Sequence, residues 1–531
     1  MEEPARENAS DSVGVGRGST VDDGPTLCEP RSLESTRHPT TVRNLSFVVV
    51  GVFAIWGLLS PSAMTAAASG VVGFMLDAVG WLYLLLCSSF LALAAFLALG
   101  PYGKVRLGPD DSRPDFSTLS WLSMLFAGGM GAGLVFWGVA EPVSHFAQPP
   151  GAATPASPEA ARLAMVLTAL HWGLHPWAIY ASCAMVVAYF VFRRRMPGLI
   201  STPLRATLPR NGYTRGLGII ADVIGVFAVV FGLAGSLVMG VLQVRAGLWE
   251  VYGLVPTTTT SLLILGVVTV AFLVSASTGL NKGIQILSNV NMLLAIGLLL
   301  FVTLSGPTSY VMDSFVNLIG DYTAALPSYS FRLLSYEDQM GWSSAWTLTY
   351  LVWWVAWGPF VGIFIARISR GRTIREFCGG VILIPAVFSL FWFAALGGTS
   401  LWIELSGGGG LSELVHEDTA KALFAFLSYL PQPQLVSTVA VLLVFIFLVT
   451  SADSATFVVS MMTSEGSLEP KRSLKLLWGG AITLITVAVL VTGSVQVAKA
   501  MAVFGAVPFT LILVFQIVAF LRALRSERGG S

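Results

Sequence analysis

Trp177 and Tyr180 stand three residues apart, and so do Trp354 and Trp357. On a helix, residues at that spacing share a face. An aromatic ring carries negative charge density over its plane, so a cage of such rings attracts a quaternary ammonium group without a formal negative charge. Both pairs lie in denser aromatic runs. One is His171-Trp172-Gly173-Leu174-His175-Pro176-Trp177-Ala178-Ile179-Tyr180, and the other is Trp353-Trp354-Val355-Ala356-Trp357. A buried carboxylate would be a costly alternative receptor, because a charge at the centre of a bilayer costs at least ~2.5 kcal/mol.

A second chemistry is offered by Phe447-Leu448-Val449-Thr450-Ser451-Ala452-Asp453-Ser454. A small cation such as Na⁺ needs several neutral oxygens. Adjacent hydroxyls and carbonyls freed by an unwound helix would supply them. The segment Gly128-Gly129-Met130-Gly131-Ala132-Gly133 is the candidate for such unwinding. Hydroxyls in membrane helices also bond to the carbonyl one turn back, and Ser454 is assigned that role. Asp453 is an intramembrane acid, which is either functional or a buried structural partner. His171 and His175 have a spacing that can bind a metal, but no carboxylate or third histidine lies nearby in the sequence, so no metal is assigned. Glu141-Pro142 reads as a helix end with a solvated acid, and the basic run from Arg367 to Arg375 as a topology anchor.

These residues need long apolar elements to hold them. Of 531 residues 55% are hydrophobic and only 11% charged, with 54 Gly and 15 Trp. Soluble domains carry about 25% charged residues. A span needs roughly 20 apolar residues. Runs of that kind lie near 43–60, 78–100, 119–147, 159–192, 216–251, 257–278, 284–306, 342–369, 375–403, 433–463, 473–494 and 498–522. Shorter helical stretches near 310–325 and 411–430 are peripheral. The fold class is therefore an all-α membrane protein of about 12 transmembrane helices.

Charge supports this count. Twenty of the thirty Lys and Arg residues fall in connections on one side, and five more precede the first span. Arg162, Arg245, Arg332, Lys421 and Lys499 fall on the other. Basic residues favour the cytoplasmic side, which places both termini there. The last ten spans divide into two sets of five, and an odd number inverts the second set. Each set begins with a marked span, interrupted at Gly128–Gly133 in one and at Trp357-Gly358-Pro359-Phe360 in the other. Paired interruptions point to a transporter's midplane site. The organisation is then a disordered cytoplasmic N-terminal tail (1–42), two peripheral helices (43–100), a first five-helix repeat (119–306), a second inverted repeat (342–522) and a short cytoplasmic C-terminal tail (523–531). The four cysteines form no CxxC pair, and the net charge of +1 gives no reason to expect a nucleic-acid partner.

Gly129-Met130-Gly131-Ala132-Gly133 through Glu141-Pro142, His171 through Tyr180, Trp346-Thr347 through Arg375, and Thr450 through Ser454 together resemble the betaine/carnitine/choline transporter family across all twelve helices. The resemblance implies a leucine-transporter-like 5+5 inverted repeat after two extra helices, a homotrimer in the cell (inner) membrane, and osmolyte or metabolite uptake. It implies substrate contacts from Trp172, Trp177, Tyr180 and Trp354, with Trp353 and Trp357 lining the cytoplasmic path and the backbone of Met130, Gly131, Ala132 and Gly133 meeting a carboxylate. It implies Na⁺ as coupling ion, held by the hydroxyls of Thr450 and Ser451 and the carbonyls of Ala127, Met130 and Phe447, with no cofactor.

Departures from the family pattern are informative. Val229 and Leu233 stand where two-Na⁺ carriers have threonines, Leu351 where a Trp is usual, and Ala345 where Gly, Ser, Asp or Asn is usual. Gly133 stands where choline carriers often have Asp. The expectation is thus a one-Na⁺ symporter for a quaternary-ammonium solute, glycine betaine before choline, carnitine, ectoine or sulfonium analogues. A Na⁺-independent exchanger or proton-coupled carrier of the same fold is the runner-up, and a channel a distant one. Neither a nucleophile paired with a base nor clustered metal ligands are evident, so no enzyme is expected.

Overall fold

The computed structural model describes residues 39–529 apart from residues 130, 210, 279–282 and 468. Its regular elements are helical throughout the described residues. Among the described residues, eleven helices or helix runs are long and apolar enough to cross a membrane. The eleven correspond to all but one of the twelve apolar runs, and the remaining run, 119–147, is divided between two shorter helices.

In chain order the first helices are α1 (Pro39–Leu59), α2 (Pro61–Leu99), α3 (Thr118–Gly129), α4 (Ala132–Ala147), α5 (Pro158–Trp172), α6 (Leu174–Ala188), α7 (Thr202–Thr207), α8 (Gly212–Tyr252), α9 (Thr258–Thr278), α10 (Gly283–Ser305) and α11 (Thr308–Tyr329). Then come α12 (Met340–Ser343), α13 (Thr349–Ile368), α14 (Ile374–Cys378), α15 (Ile384–Leu405), α16 (Leu411–Glu417), α17 (Ala422–Leu427), α18 (Pro433–Met462), α19 (Arg472–Leu490), α20 (Val495–Phe504) and α21 (Ala506–Gly529). Some helix starts are capped by polar side chains. Ser157 and Asn211 accept from the N–H groups of Ala160 and Thr214, and Thr373 with Glu376 forms a capping box.

The tails differ at their edges from the sequence reading. Residues 39–42 belong to α1, and α21 continues through 523–529. The rest of the 1–42 segment lies outside the described residues.

Irregular turns interrupt several of the crossings near their ends. Single π turns occur at Tyr189–Arg193, Ser344–Leu348 and Gly379–Leu383. Wide turns of this kind re-aim side chains and are frequent at functional sites. The most extensive helix pairings are α6 with α13, α8 with α18, and α8 with α20. Close approach depends on small residues. A Cβ at Gly397 of α15 would stand 2.6 Å from Pro142 Cγ of α4. In the same contact Trp392 donates its indole N–H to the Leu134 carbonyl at 3.1 Å.

One expected interruption is absent. Trp357-Gly358-Pro359-Phe360 lies within the continuous helix α13. Pro359 removes one N–H, but the surrounding helices hold the remaining turns in register. The irregularity of this crossing is instead the π turn at Ser344–Leu348. Conversely, the fourth crossing breaks at Gly173, between α5 and α6 (φ −93°, ψ −124°).

Candidate functional site

The Gly173 break has an identifiable cause. Helix ends leave backbone groups without in-helix partners. Tyr322 Oη of α11 accepts from the Leu174 N–H at 3.0 Å, at the start of α6. A Cβ at Gly173 would meet that hydroxyl at 2.8 Å, so the position has no room for a side chain. On the other side of the break, the His171 carbonyl accepts from the Trp354 indole N–H at 2.9 Å. The break is thus held from α11 and from α13.

Four aromatic side chains meet around it. Trp172 and Trp354 make an edge contact with centroids 5.0 Å apart at 86°. Tyr180 and Trp354 do the same at 5.6 Å and 88°, and Trp177 and Tyr180 at 5.8 Å and 83°. Three of the four are buried, while Trp354 is partly open. Trp353 and Trp357 lie to the side. Trp353 rests on Tyr350 and Trp354, and Trp357 on Phe360.

The α3–α4 interruption is present at Gly131 (φ −94°, ψ −174°), which caps α4 in an extended conformation. Ala132 and Gly133 open α4. A Cβ at Gly131 would lie 3.4 Å from Trp357 Cη2 and 3.9 Å from Ser451 Oγ, and one at Gly133 would lie 3.2 Å from Trp172 Cη2. The interruption therefore sits between the aromatic cluster and the hydroxyl pair of α18. Met130, named for both the substrate and the Na⁺ contacts, lies outside the described residues.

Ala127 is in the last turn of α3, where helix geometry leaves carbonyls without in-helix partners. Thr450 is buried and donates to the carbonyls of Ile446 (3.0 Å) and Phe447 (3.2 Å), which leaves its oxygen lone pairs as acceptors. Neutral hydroxyl and carbonyl oxygens are the donor type that could hold a small alkali cation. Val229 and Leu233 are buried in α8 and add no oxygen. Asp453 accepts from Ser275 Oγ of α9, so it has a structural partner.

The description "betaine/carnitine/choline family transporter" matches residues 41–529. The chain belongs to that family. It is 40% identical over 493 residues to the glycine betaine transporter OpuD of Bacillus subtilis, covering 93% of this chain and 96% of the relative. It is 40% identical to the ectoine/hydroxyectoine transporter of Virgibacillus pantothenticus (90% and 95% covered). It is 35% identical to the glycine betaine transporter of Acinetobacter baylyi (91% and 73% covered). This betaine/carnitine/choline family member is a multi-pass membrane transporter and not an enzyme.

The transporter also contains a polar cluster that the sequence order conceals. Glu141 is fully buried within α4, not solvated at a helix end. Its Oε1 lies 2.6 Å from His171 Nδ1 and 3.4 Å from His145 Nε2, and its Oε2 accepts from the Trp172 indole N–H at 2.7 Å. His171 therefore does have a carboxylate and a second histidine beside it. One ligand atom from each of Glu141, His145 and His171 falls within 4.8 Å of the others, a spacing open to a metal. The atoms are already joined by hydrogen bonds, however, and a lysine ammonium lies in the same layer. Lys499, counted with the outer-side basic residues, is buried with its Nζ 4.5–5.5 Å from the Trp346, Trp137 and Tyr350 rings. A divalent ion would bring two more positive charges beside that ammonium in a dry interior, where like charges are poorly screened.

Two arginines of the basic connections make specific contacts. Arg372, within the run read as a topology anchor, stacks 3.9 Å over Trp121 and donates to the Phe116 carbonyl at 3.0 Å. Arg193 bridges Asp110 (2.7 Å) and Glu527 (2.8 Å). Arg193 holds the exposed Asp110 carboxyl below the usual carboxylate range by hydrogen bonding and charge.

Proposed function

We infer that this chain is a Na⁺-coupled symporter for a quaternary-ammonium compatible solute, glycine betaine first. The observation that carries the reading is the meeting of Trp172, Trp177, Tyr180 and Trp354 beside the N-terminus of α4. Ring faces attract the trimethylammonium group. The backbone N–H groups at the start of a half-helix attract the carboxylate. A zwitterion fits this pair better than a bare cation, because Gly133 offers no carboxylate to balance choline. Relatives named for glycine betaine and for ectoine support the solute class.

Coupling is assigned to one Na⁺, held by Thr450, Ser451 and the carbonyls of Ala127, Met130 and Phe447. Val229 and Leu233 argue against a second ion. The reading includes a 5+5 inverted repeat working by alternating access, a homotrimer, and a cell-membrane location with both termini cytoplasmic. It is tested by uptake of labelled glycine betaine, choline, carnitine and ectoine into proteoliposomes, with and without a Na⁺ gradient. Saturable uphill uptake of betaine that requires Na⁺ is the expected result. Equal uptake without Na⁺ would leave an exchanger or proton-coupled carrier, and non-saturable flux a channel.

A further inference from the structure

We propose that Glu141 is a positioning residue for the aromatic cluster, acting on two of its rings through Trp172 and His171. The inference rests on the transport reading above and adds a residue to it.

A carboxylate can only accept, so the two short contacts assign their own protons. Trp172 Nε1–H donates to Oε2 at 2.7 Å. His171 Nδ1–H donates to Oε1 at 2.6 Å, and in the neutral ring Nε2 then accepts from Thr347 Oγ1 at 2.9 Å. Thr347 lies in the π turn preceding α13. The His171 ring is further fixed by stacking on Tyr350 at 4.9 Å and 8°. The backbone carbonyl of this same His171 holds the Trp354 indole. One carboxylate on α4 therefore fixes the Trp172 ring directly, and the residue that anchors the Trp354 ring indirectly.

An indole without its hydrogen bond can turn about its Cβ–Cγ bond, and a cation–π contact depends on presenting the ring face. Sites gain affinity when the residues behind the contact surface lock its geometry. The energetic stake is high because every member is buried. A charged acceptor in such a place is kept only if its partners are complete. Lys499, whose ammonium packs against the Trp346 and Tyr350 rings, supplies a compensating positive charge in the same region. None of this requires Glu141 to touch the solute.

The test is a double-mutant cycle on the purified full-length protein in lipid nanodiscs, with glycine betaine affinity read by calorimetry. Glu141→Ala is expected to weaken binding about tenfold, the range for losing a hydrogen bond to a charged group. Trp172→Phe keeps a ring but removes the donor. In the Trp172→Phe background, Glu141→Ala should add a clearly smaller loss, because the Trp172 route is already gone and only the route through His171 to Trp354 remains. Glu141→Gln, whose amide oxygen still accepts from Trp172 and whose NH₂ can donate to the other His171 tautomer, should recover most of the affinity. If Glu141→Ala fails to insert, Glu141→Met fills the volume without an acceptor and takes its place in the cycle. Equal fold-losses in both backgrounds, or an unchanged affinity in Glu141→Ala, would overturn the inference while wild-type binding stands. If the unmodified chain binds none of the solutes, the transport reading falls and this inference with it.

Discussion

The indole N–H of Trp354 donates to the backbone carbonyl of His171 at 2.9 Å, joining α13 to the end of α5. The two residues are 183 apart in sequence. The bond fixes one wall of the aromatic cluster to a carbonyl that the Gly173 break leaves available, so the break and the cluster form one structural unit.

Trp354 therefore contributes a ring face and a hydrogen bond, and the two can be separated. Trp354→Ala should remove a desolvated cation–π partner worth ~2 kcal/mol or more, about a thirtyfold loss of betaine affinity. Trp354→Phe keeps a face and loses only the bond to His171, so a smaller loss of ~1 kcal/mol is expected. Calorimetric titration of both variants distinguishes them. Equal losses would show that the ring face contributes nothing beyond its tether.

Gly133 stands against Trp172, and this refines a specificity prediction. Gly133→Asp should raise choline relative to betaine in competition assays, because the new carboxylate balances a cation that lacks its own. A Cβ there sits 3.2 Å from Trp172 Cη2, so the ring must shift by a few tenths of an ångström. Total uptake should fall even as the preference moves. Unmodified protein that already prefers choline would refute the assignment.

Coupling is tested at the hydroxyl pair. Thr450→Ala with Ser451→Ala should abolish Na⁺-dependent uptake, since a dehydrated ion left short of oxygens is not compensated. The unmodified protein should show a hyperbolic Na⁺ response with a Hill coefficient of about one, in line with the missing oxygens at Val229 and Leu233. Sigmoidal activation would mean that a second ion is held elsewhere.

Gly173 is predicted to tolerate no side chain. Gly173→Ala would press a methyl against Tyr322 Oη and the Ala169 carbonyl. Overpacking of this kind costs roughly 1–3 kcal/mol. A lowered unfolding temperature in detergent, with weakened betaine binding, is the expected pair of results. Full stability would show that the break adjusts freely.

The sequence by itself determined the long apolar helices, an interruption within Gly128–Gly133 and the residue types of both candidate sites. Each of these depends on local chemistry: runs of apolar residues must span a bilayer, and clustered glycines cannot sustain a regular helix. The pairing of Trp177 with Tyr180 was legible because a three-residue spacing fixes a helix face. Pro359 misled, because a proline removes a single N–H and the packing of α13 against α6 keeps the helix continuous. Glu141 misled more deeply, and Lys499, read only for its side of the membrane, gave no sign of its burial. Read in order, each is a charge near the end of an apolar run, and such charges usually reach water. Only the tertiary structure decided otherwise: it brought His171 and Trp172 from α5 to Glu141, and the Trp137, Trp346 and Tyr350 rings to Lys499. A buried charge is tolerated when its partners converge on it, and those partners came from helices far apart in the chain, a relation that no local spacing encodes.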